Sequence, residues 1–207
     1  MIAKFHYLTQ NLPHLSHEDL ALTACKSGVK WLQLRMKNKT TEERKAIALA
    51  VQAICKEYAT TFILNDYPQL AKEIGADGVH LGKKDMPVKE ARELLGEKAI
   101  IGGTANNLED ILALYHAGAN YVGLGPFRFT QTKENLSPIL GLEGYESLLS
   151  QLASQGINLP IIAIGGIQIS DIEQLMKTGV HGIAVSSLIN LAEDRNLIIK
   201  SINHLLL

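Results

Sequence analysis

Eleven consecutive residues, Gly123-Leu-Gly-Pro-Phe-Arg-Phe-Thr-Gln-Thr-Lys133, bring two glycines, two hydroxyls and a lysine within reach of one point. Small residues let backbone amides approach an anion, and hydroxyl and ammonium groups add donors, so the stretch suits a phosphate. Apolar Tyr121-Val122 just before it reads as the end of a buried strand. Taken alone, the same composition also describes an ordinary Gly/Pro surface turn.

Other chemistry-bearing residues fall at similar places, where short apolar runs stop. Gln33, Arg35 and Lys37 alternate at period two, so one strand face would carry an amide and two cations, with Leu34 and Met36 opposite. Two cations on one lip suit a diphosphate, which Arg can hold bidentately, although strand-end cations are often merely solvated. Asp66 and Asp85 follow adjacent expected strands, a placement that can offer two carboxylates to one hard cation such as Mg²⁺, the rest of whose shell would be water and phosphate oxygen. Each could equally cap the helix after it. Gly165-Gly166 and Ser186-Ser187 would expose amides at a second anion site, distinct from the lip with Arg35 and Lys37; a tight turn and a helix cap are the plainer readings. His80 sits inside an apolar strand and reads as a satisfied core residue rather than a catalyst. Two anion sites and a divalent cation in one place point to a reaction between two phosphorylated small molecules.

The elements that must position these residues recur along the chain. At Ser27-Gly28, Ile74-Gly75, Ala117-Gly118 and Thr178-Gly179 a helical segment ends at Gly and an apolar strand follows within a few residues, the short helix-to-strand loop of a parallel sheet. With further strands expected near 5–9, 61–64, 99–102 and 160–164, the count is eight, each followed by a helix-forming segment: 17–27, 40–58, 67–74, 87–95, 107–117, 143–154, 170–178 and 190–205. Ser16, Thr40 and Ser170 are candidate N-caps, with Glu43 and Glu173 completing capping boxes. Eight βα units without a linker predict a single α/β domain over residues 1–207, a (β/α)₈ TIM barrel, with the open doubly wound sheet as the alternative. In a barrel the C-terminal strand ends form the active face. That face would receive Gln33 to Lys37, Asn65-Asp66, His80 to Asp85, Thr104, the Gly123 to Lys133 stretch, Gly165-Gly166 and Ser186-Ser187.

Composition sets the outer limits. A net charge of −1 over 207 residues gives no general electrostatic case for nucleic acid or an anionic membrane surface. No apolar run is long enough to span a bilayer. Cys25 and Cys55 lack metal-ligand spacing and read as reduced core thiols. A strand pattern at the first residues leaves no room for a targeting peptide, so a cytoplasmic location is expected. A homo-oligomer is compatible with the chain and not specified by it.

Over essentially its full length the chain resembles the thiamine-phosphate synthase (thiamine-phosphate pyrophosphorylase) family. The resemblance is carried by Gln-Leu-Arg-Met-Lys (33–37), Asn65-Asp66, Asp-Gly-Val-His-Leu-Gly (77–82) with Asp85, Gly-x-Gly-Pro-x-x-x-Thr-x-Thr-Lys (123–133), Ile-Gly-Gly-Ile (164–167) and Val-Ser-Ser-Leu-Ile (185–189). It implies that Gln33, Leu34, Arg35, Met36, Lys37, Asn65, Thr104 and Lys133 hold an aminopyrimidine diphosphate. It further implies that Asp66 and Asp85 bind Mg²⁺, and that Thr130, Gln131, Thr132, Gly166, Ser186 and Ser187 hold a thiazole phosphate. Three positions depart from the family pattern: Lys83 replaces the usual Gln, Thr104 the usual Ser, and Phe129 a common Pro. Lys83 is expected to tune affinity by adding a cation near the metal. The implied reaction is a dissociative substitution in which diphosphate leaves and the thiazole nitrogen is alkylated, with Arg35, Lys37 and Lys133 as the catalytic cations. A thiazole tautomerase of the same superfamily and a non-catalytic sensor of thiamine-pathway phosphates are the alternatives.

Overall fold

The computed structural model describes residues 1–129 and 138–207. Among these, eight parallel strands pair in sequence order and close on themselves: β1 (Phe5–Leu8), β2 (Trp31–Leu34), β3 (Thr61–Asn65), β4 (Gly78–Leu81), β5 (Ile100–Ala105), β6 (Tyr121–Leu124), β7 (Ile161–Ile164) and β8 (Gly182–Val185). Closure is made by β1 against β8, with Phe5, His6 and Tyr7 opposite Ile183, Ala184 and Val185. The expected (β/α)₈ barrel is therefore the observed fold, and the open sheet is not.

Around the barrel run α1 (His17–Lys26), α2 (Thr41–Glu57), α3 (Pro68–Ile74), α4 (Val88–Leu95), α5 (Leu108–His116), α6 (Gly141–Ser154), α7 (Ile172–Lys177), α8 (Ser187–Asn190) and α9 (Arg195–Leu205). The four helix-ending glycines, Gly28, Gly75, Gly118 and Gly179, all take positive φ, the conformation that ends the helix and turns the chain into the next strand. Ser16 and Thr40 cap α1 and α2 through capping boxes with Asp19 and Glu43. Two expectations near the end of the chain do not hold. Ser170 is not the cap: a 3₁₀ turn, Ile169–Asp171, begins one residue earlier, with Gln168 at the cap and its N–H bonded to the Asp171 carboxylate at 2.8 Å. The last helical segment is two helices, because α8 begins directly after β8 and Asp194 caps a separate α9 by accepting from the Leu197 N–H.

Each strand sends alternate residues to the barrel interior and to the surrounding helices. Outward residues such as Leu32, Leu34, Phe62, Leu64, Val122 and Val185 join the helices in the larger core. Inward residues Leu8, Trp31, Ile63, Tyr121, Ile162 and Ala184 form a second, separate cluster that fills the lumen. His6 stacks on Trp31 with ring centroids 4.2 Å apart, and Tyr121 meets Trp31 edge-on at 5.5 Å. Rings of this size fit only because neighbouring inward positions carry no side chain. A Cβ on Gly102 of β5 would lie 2.1 Å from Tyr121 Cζ. Gly102→Ala should therefore destabilise the barrel by about 1–3 kcal/mol through overpacking, read as a lowered urea midpoint; an unchanged midpoint would show that the lumen is loosely packed.

Candidate active site

Inward alternation continues past each apolar lumen residue, so the next inward position on the same strand stands at the barrel mouth. Gln33 and Arg35 follow Trp31, Asn65 follows Ile63, Thr104 follows Gly102, and Ser186 follows Ala184. These polar residues, from four separate stretches of sequence, thus share one end of the barrel. Leu34 and Met36 take the opposite face and are buried in the outer core, so their side chains do not face the mouth. Strand β2 itself stops at Leu34, and Arg35 is half-buried while Lys37 is exposed.

The extension beyond β2 keeps its shape through braces from β1 that sequence reading missed. The Thr9 N–H donates to the Gln33 carbonyl at 3.1 Å, and the Arg35 N–H donates to Thr9 Oγ1 at 3.2 Å. Asn11 Nδ2 donates to the Lys37 carbonyl at 2.7 Å. Buried His17, in the first turn of α1, bridges both, with Nδ1 2.9 Å from Thr9 Oγ1 and Nε2 3.0 Å from Asn11 Oδ1. The available signal was Thr9 and Asn11 in the loop between β1 and α1 and His17 at the start of α1, without any pattern pointing at β2.

Asp66 and Asp85 are neighbours in space. Asp66 holds a positive φ of 74° and does not cap α3, which has no side-chain cap; Asp85 does not cap α4 but accepts the Gly82 N–H at 2.6 Å. Helix capping therefore does not account for either carboxylate. Burial, a hydrogen bond to Asp85 and repulsion from its charge raise the Asp66 carboxyl to about 7, against the pull of Arg35 and Asn65. A carboxylate pair that cannot comfortably hold both charges fits a divalent cation completed by water and substrate oxygens. No group of three or more His, Cys, Asp or Glu residues suited to a metal occurs among the described residues, so protein would supply only part of such a cation's shell. Lys83, expected near this cation, is instead 2.6 Å from the Asp110 carboxylate on α5.

On the far side of the mouth a cleft of about 760 Å³, open mouth included, is lined by Leu8, Arg35, Gly165, Gly166, Ser186 and Ser187, among others. Arg35 is thus a wall of the cleft that Gly166 and the serines form, and the two anion sites expected to be distinct adjoin through it. Closure explains this: only β1 separates β2 from β8. Gly165 and Gly166 have φ of 101° and 70°, a turn open to glycine and strained for other residues. Arg128 fastens that turn, donating to the Gly166 carbonyl at 2.8 Å and bidentately to Asp171 at 2.8 and 2.9 Å. Ser186 Oγ donates to Gln10 Oε1 at 3.1 Å and accepts from Asn190 Nδ2 at 3.0 Å.

The expectation that Gly123 and Gly125 expose amides to an anion is corrected. Gly125 donates its N–H to the Ala105 carbonyl, and a Cβ there would lie 2.2 Å from the Ile164 carbonyl oxygen. A Cβ on Gly123 would meet the His80 ring at 3.0 Å. Both glycines admit close neighbours. Thr130, Gln131, Thr132 and Lys133 lie outside the described residues.

The family profile described as thiamine monophosphate synthase matches residues 9–189. The chain belongs to the thiamine monophosphate synthase family. It is 51% identical over 193 residues to the thiamine-phosphate synthase of Bacteroides thetaiotaomicron, covering 93% of this chain and 92% of that one. To the thiamine-phosphate synthase of Flavobacterium johnsoniae it is 49% identical over 203 residues, 98% and 96% of the two chains. The solved structure of thiamine phosphate pyrophosphorylase from Pyrococcus furiosus superposes with a TM-score of 0.86 at 30% identity, over 98% and 95% of the chains. The 3-hexulose-6-phosphate synthase structure, at 15% identity and a TM-score of 0.69, shares the fold alone.

Within this family member, the Asp66 carboxyl gives a pH signature of its own. Because its folded value lies above the ordinary 3.8, its contribution to stability is present at low pH and is lost as pH rises through about 7. Asp66→Asn should flatten that decline in metal-free protein. Thermal unfolding between pH 5 and 8 with a chelator present checks this, and parallel curves for both proteins would contradict it.

Proposed function

We propose that the protein is a thiamine-phosphate synthase, joining 4-amino-2-methyl-5-(diphosphooxymethyl)pyrimidine to 4-methyl-5-(2-phosphoethyl)thiazole with release of diphosphate. The observation that carries this reading is Arg35, which stands between the Asp66–Asp85 pair and the cleft of Gly165, Gly166, Ser186 and Ser187. One guanidinium beside both halves suits a reaction in which an anion departs next to a second, anionic substrate.

The chemistry asks little of the protein beyond charge and position. The methylene C–O bond breaks with its electron pair leaving on the diphosphate; the electron-rich aminopyrimidine ring bears the resulting positive charge. The thiazole nitrogen then gives its lone pair to that carbon, forming the C–N bond. Gln33, Asn65 and Thr104 stand on the inward face of the mouth and would hold the pyrimidine diphosphate, with Arg35 and Lys37 stabilising charge as it moves onto the leaving group. Leu34 and Met36 would contribute through their backbone only. Gly166, Ser186 and Ser187 would hold the thiazole phosphate; the parts given to Thr130, Gln131, Thr132 and Lys133 rest on the sequence motif. Asp66 and Asp85 would hold Mg²⁺, which when bound neutralises charge on the departing diphosphate. The reading carries with it a cytoplasmic place in thiamine biosynthesis. No helix among the described residues is long and apolar enough to cross a membrane.

A tautomerase acting on the thiazole phosphate alone would leave Gln33, Arg35, Asn65, Asp66 and Asp85 without a task. Purified protein given both substrates and Mg²⁺ should release pyrophosphate in step with coupled product, and binding or tautomerisation of the thiazole phosphate without pyrophosphate would sink the reading. Arg35→Ala and Asp66→Ala should each lower turnover by about 10²-fold, the scale of one preorganised electrostatic contact; near wild-type steady-state rates in both would remove these residues from the site.

A further inference from the structure

The barrel lumen of this protein contains a polar chain that its packing does not require. Barrel interiors are ordinarily filled with branched apolar side chains. Here Tyr121 is fully buried within the lumen cluster, and His80 beside it is nearly so. Room for the two rings comes from removing side chains opposite them: a Cβ on Gly102 would collide with the Tyr121 ring, and one on Gly123 would press on His80 Cε1 at 3.0 Å. Burying a hydroxyl or an imidazole disfavours folding unless its polar atoms are bonded. Those atoms are bonded in sequence, with the Tyr121 hydroxyl 3.0 Å from His80 Nδ1 and His80 Nε2 3.0 Å from Thr104 Oγ1. Thr104, half-buried, is where the chain reaches the mouth.

We propose that Tyr121 and His80 are positioning residues for the leaving-group half of the site: they fix the tautomer of the imidazole and thereby point the Thr104 hydroxyl hydrogen into the barrel mouth. This rests on the reading that Thr104 holds the pyrimidine diphosphate, and it adds residues that touch neither substrate. The direction of the chain follows from the chemistry of its ends. A diphosphate oxygen only accepts, so Thr104 must donate to it and must receive its other bond from His80 as an Nε2–H donor. A neutral imidazole with its proton on Nε2 has an accepting Nδ1, which requires the Tyr121 O–H to donate. Tyr121 can do so at all working pH values, since burial holds its phenol protonated.

Phenylalanine at 121 keeps the ring and deletes the hydroxyl, removing the donor that holds His80 Nδ1 in its accepting form. Tyr121→Phe should raise KM for the pyrimidine diphosphate about tenfold, within the range of one hydrogen bond to a charged group, and leave KM for the thiazole phosphate unchanged. Thr104→Val should cost as much or more, and adding Tyr121→Phe to Thr104→Val should cost nothing further, because the hydroxyl through which Tyr121 acts is gone. His80→Gln, which can still offer an N–H to Thr104, should retain more affinity than His80→Leu. An unchanged KM in Tyr121→Phe, or a penalty that persists in full beside Thr104→Val, overturns the proposal. Nitrogen NMR of the His80 ring is independent of turnover: wild type should show a protonated Nε2 and a bare Nδ1, and Tyr121→Phe a mixture. A protonated Nδ1 in wild type overturns the proposal even if catalysis is normal. Failure of wild type itself to make product would overturn the functional reading, leaving the NMR result to decide the relay.

Discussion

Everything in the site depends on the pairing of β1 with β8. Without that contact β1 and β8 would be the opposite edges of an open sheet, with β2 next to β1, and Arg35 would never meet Ser186. With it, the two are separated by one strand, and Leu8 of β1 joins Arg35, Gly166 and Ser186 in lining one cleft. The closing register is held by residues that bury both ways: Phe5 and Tyr7 outward against the helices, Leu8 and Ala184 in the lumen. Tyr7 further fixes the seam by donating its hydroxyl to Asn190, whose amide donates in turn to the Leu8 carbonyl and to Ser186. A tyrosine buried for packing thus also shapes the loop that carries Ser186.

The charges at the mouth are arranged against their own preference. Asp66 and Asp85 sit close enough for the Asp66 carboxyl to be raised to about 7 by burial and by its neighbour. Arg35 and Asn65 draw the proton off only in part. A divalent cation beside the two carboxylates would relieve that repulsion. Surface pairs elsewhere, such as Lys45 with Glu73 and Lys177 with Glu173, are exposed and contribute little. The Arg128–Asp171 pair differs because it is bidentate and because its arginine also holds the Gly166 carbonyl, coupling the chain after β6 to the turn after β7.

Glycine in this barrel serves two separate ends. At helix ends it supplies a backbone conformation, whereas at positions 102, 123 and 125 it supplies empty space for a tyrosine ring, a histidine ring and a neighbouring carbonyl. Only the first use leaves a local pattern in the sequence. The second depends on what another strand brings, and it is why Gly123 and Gly125 read as an anion cradle from sequence and as packing in the structure.

By itself the sequence determined the eight strands and the helical segment after each, though not the 3₁₀ turn before α7 or the division of the last segment into α8 and α9, because strand and helix periodicities and helix-ending glycines act over a few residues. It also determined which residues reach the mouth, since polar Gln33, Asn65, Asp66, Thr104 and Ser186 follow directly on apolar runs and must emerge where those end. Only the tertiary structure decided how these residues meet. The partners of Lys83, Arg128 and His80 are Asp110, Asp171 and the pair Tyr121 and Thr104, at separations of 27 or more residues in most cases, and no local preference encodes them. The same holds for the bracing of Arg35 and Lys37 by Thr9, Asn11 and His17. Such contacts arise from barrel closure and strand register, which are set by all eight strands at once.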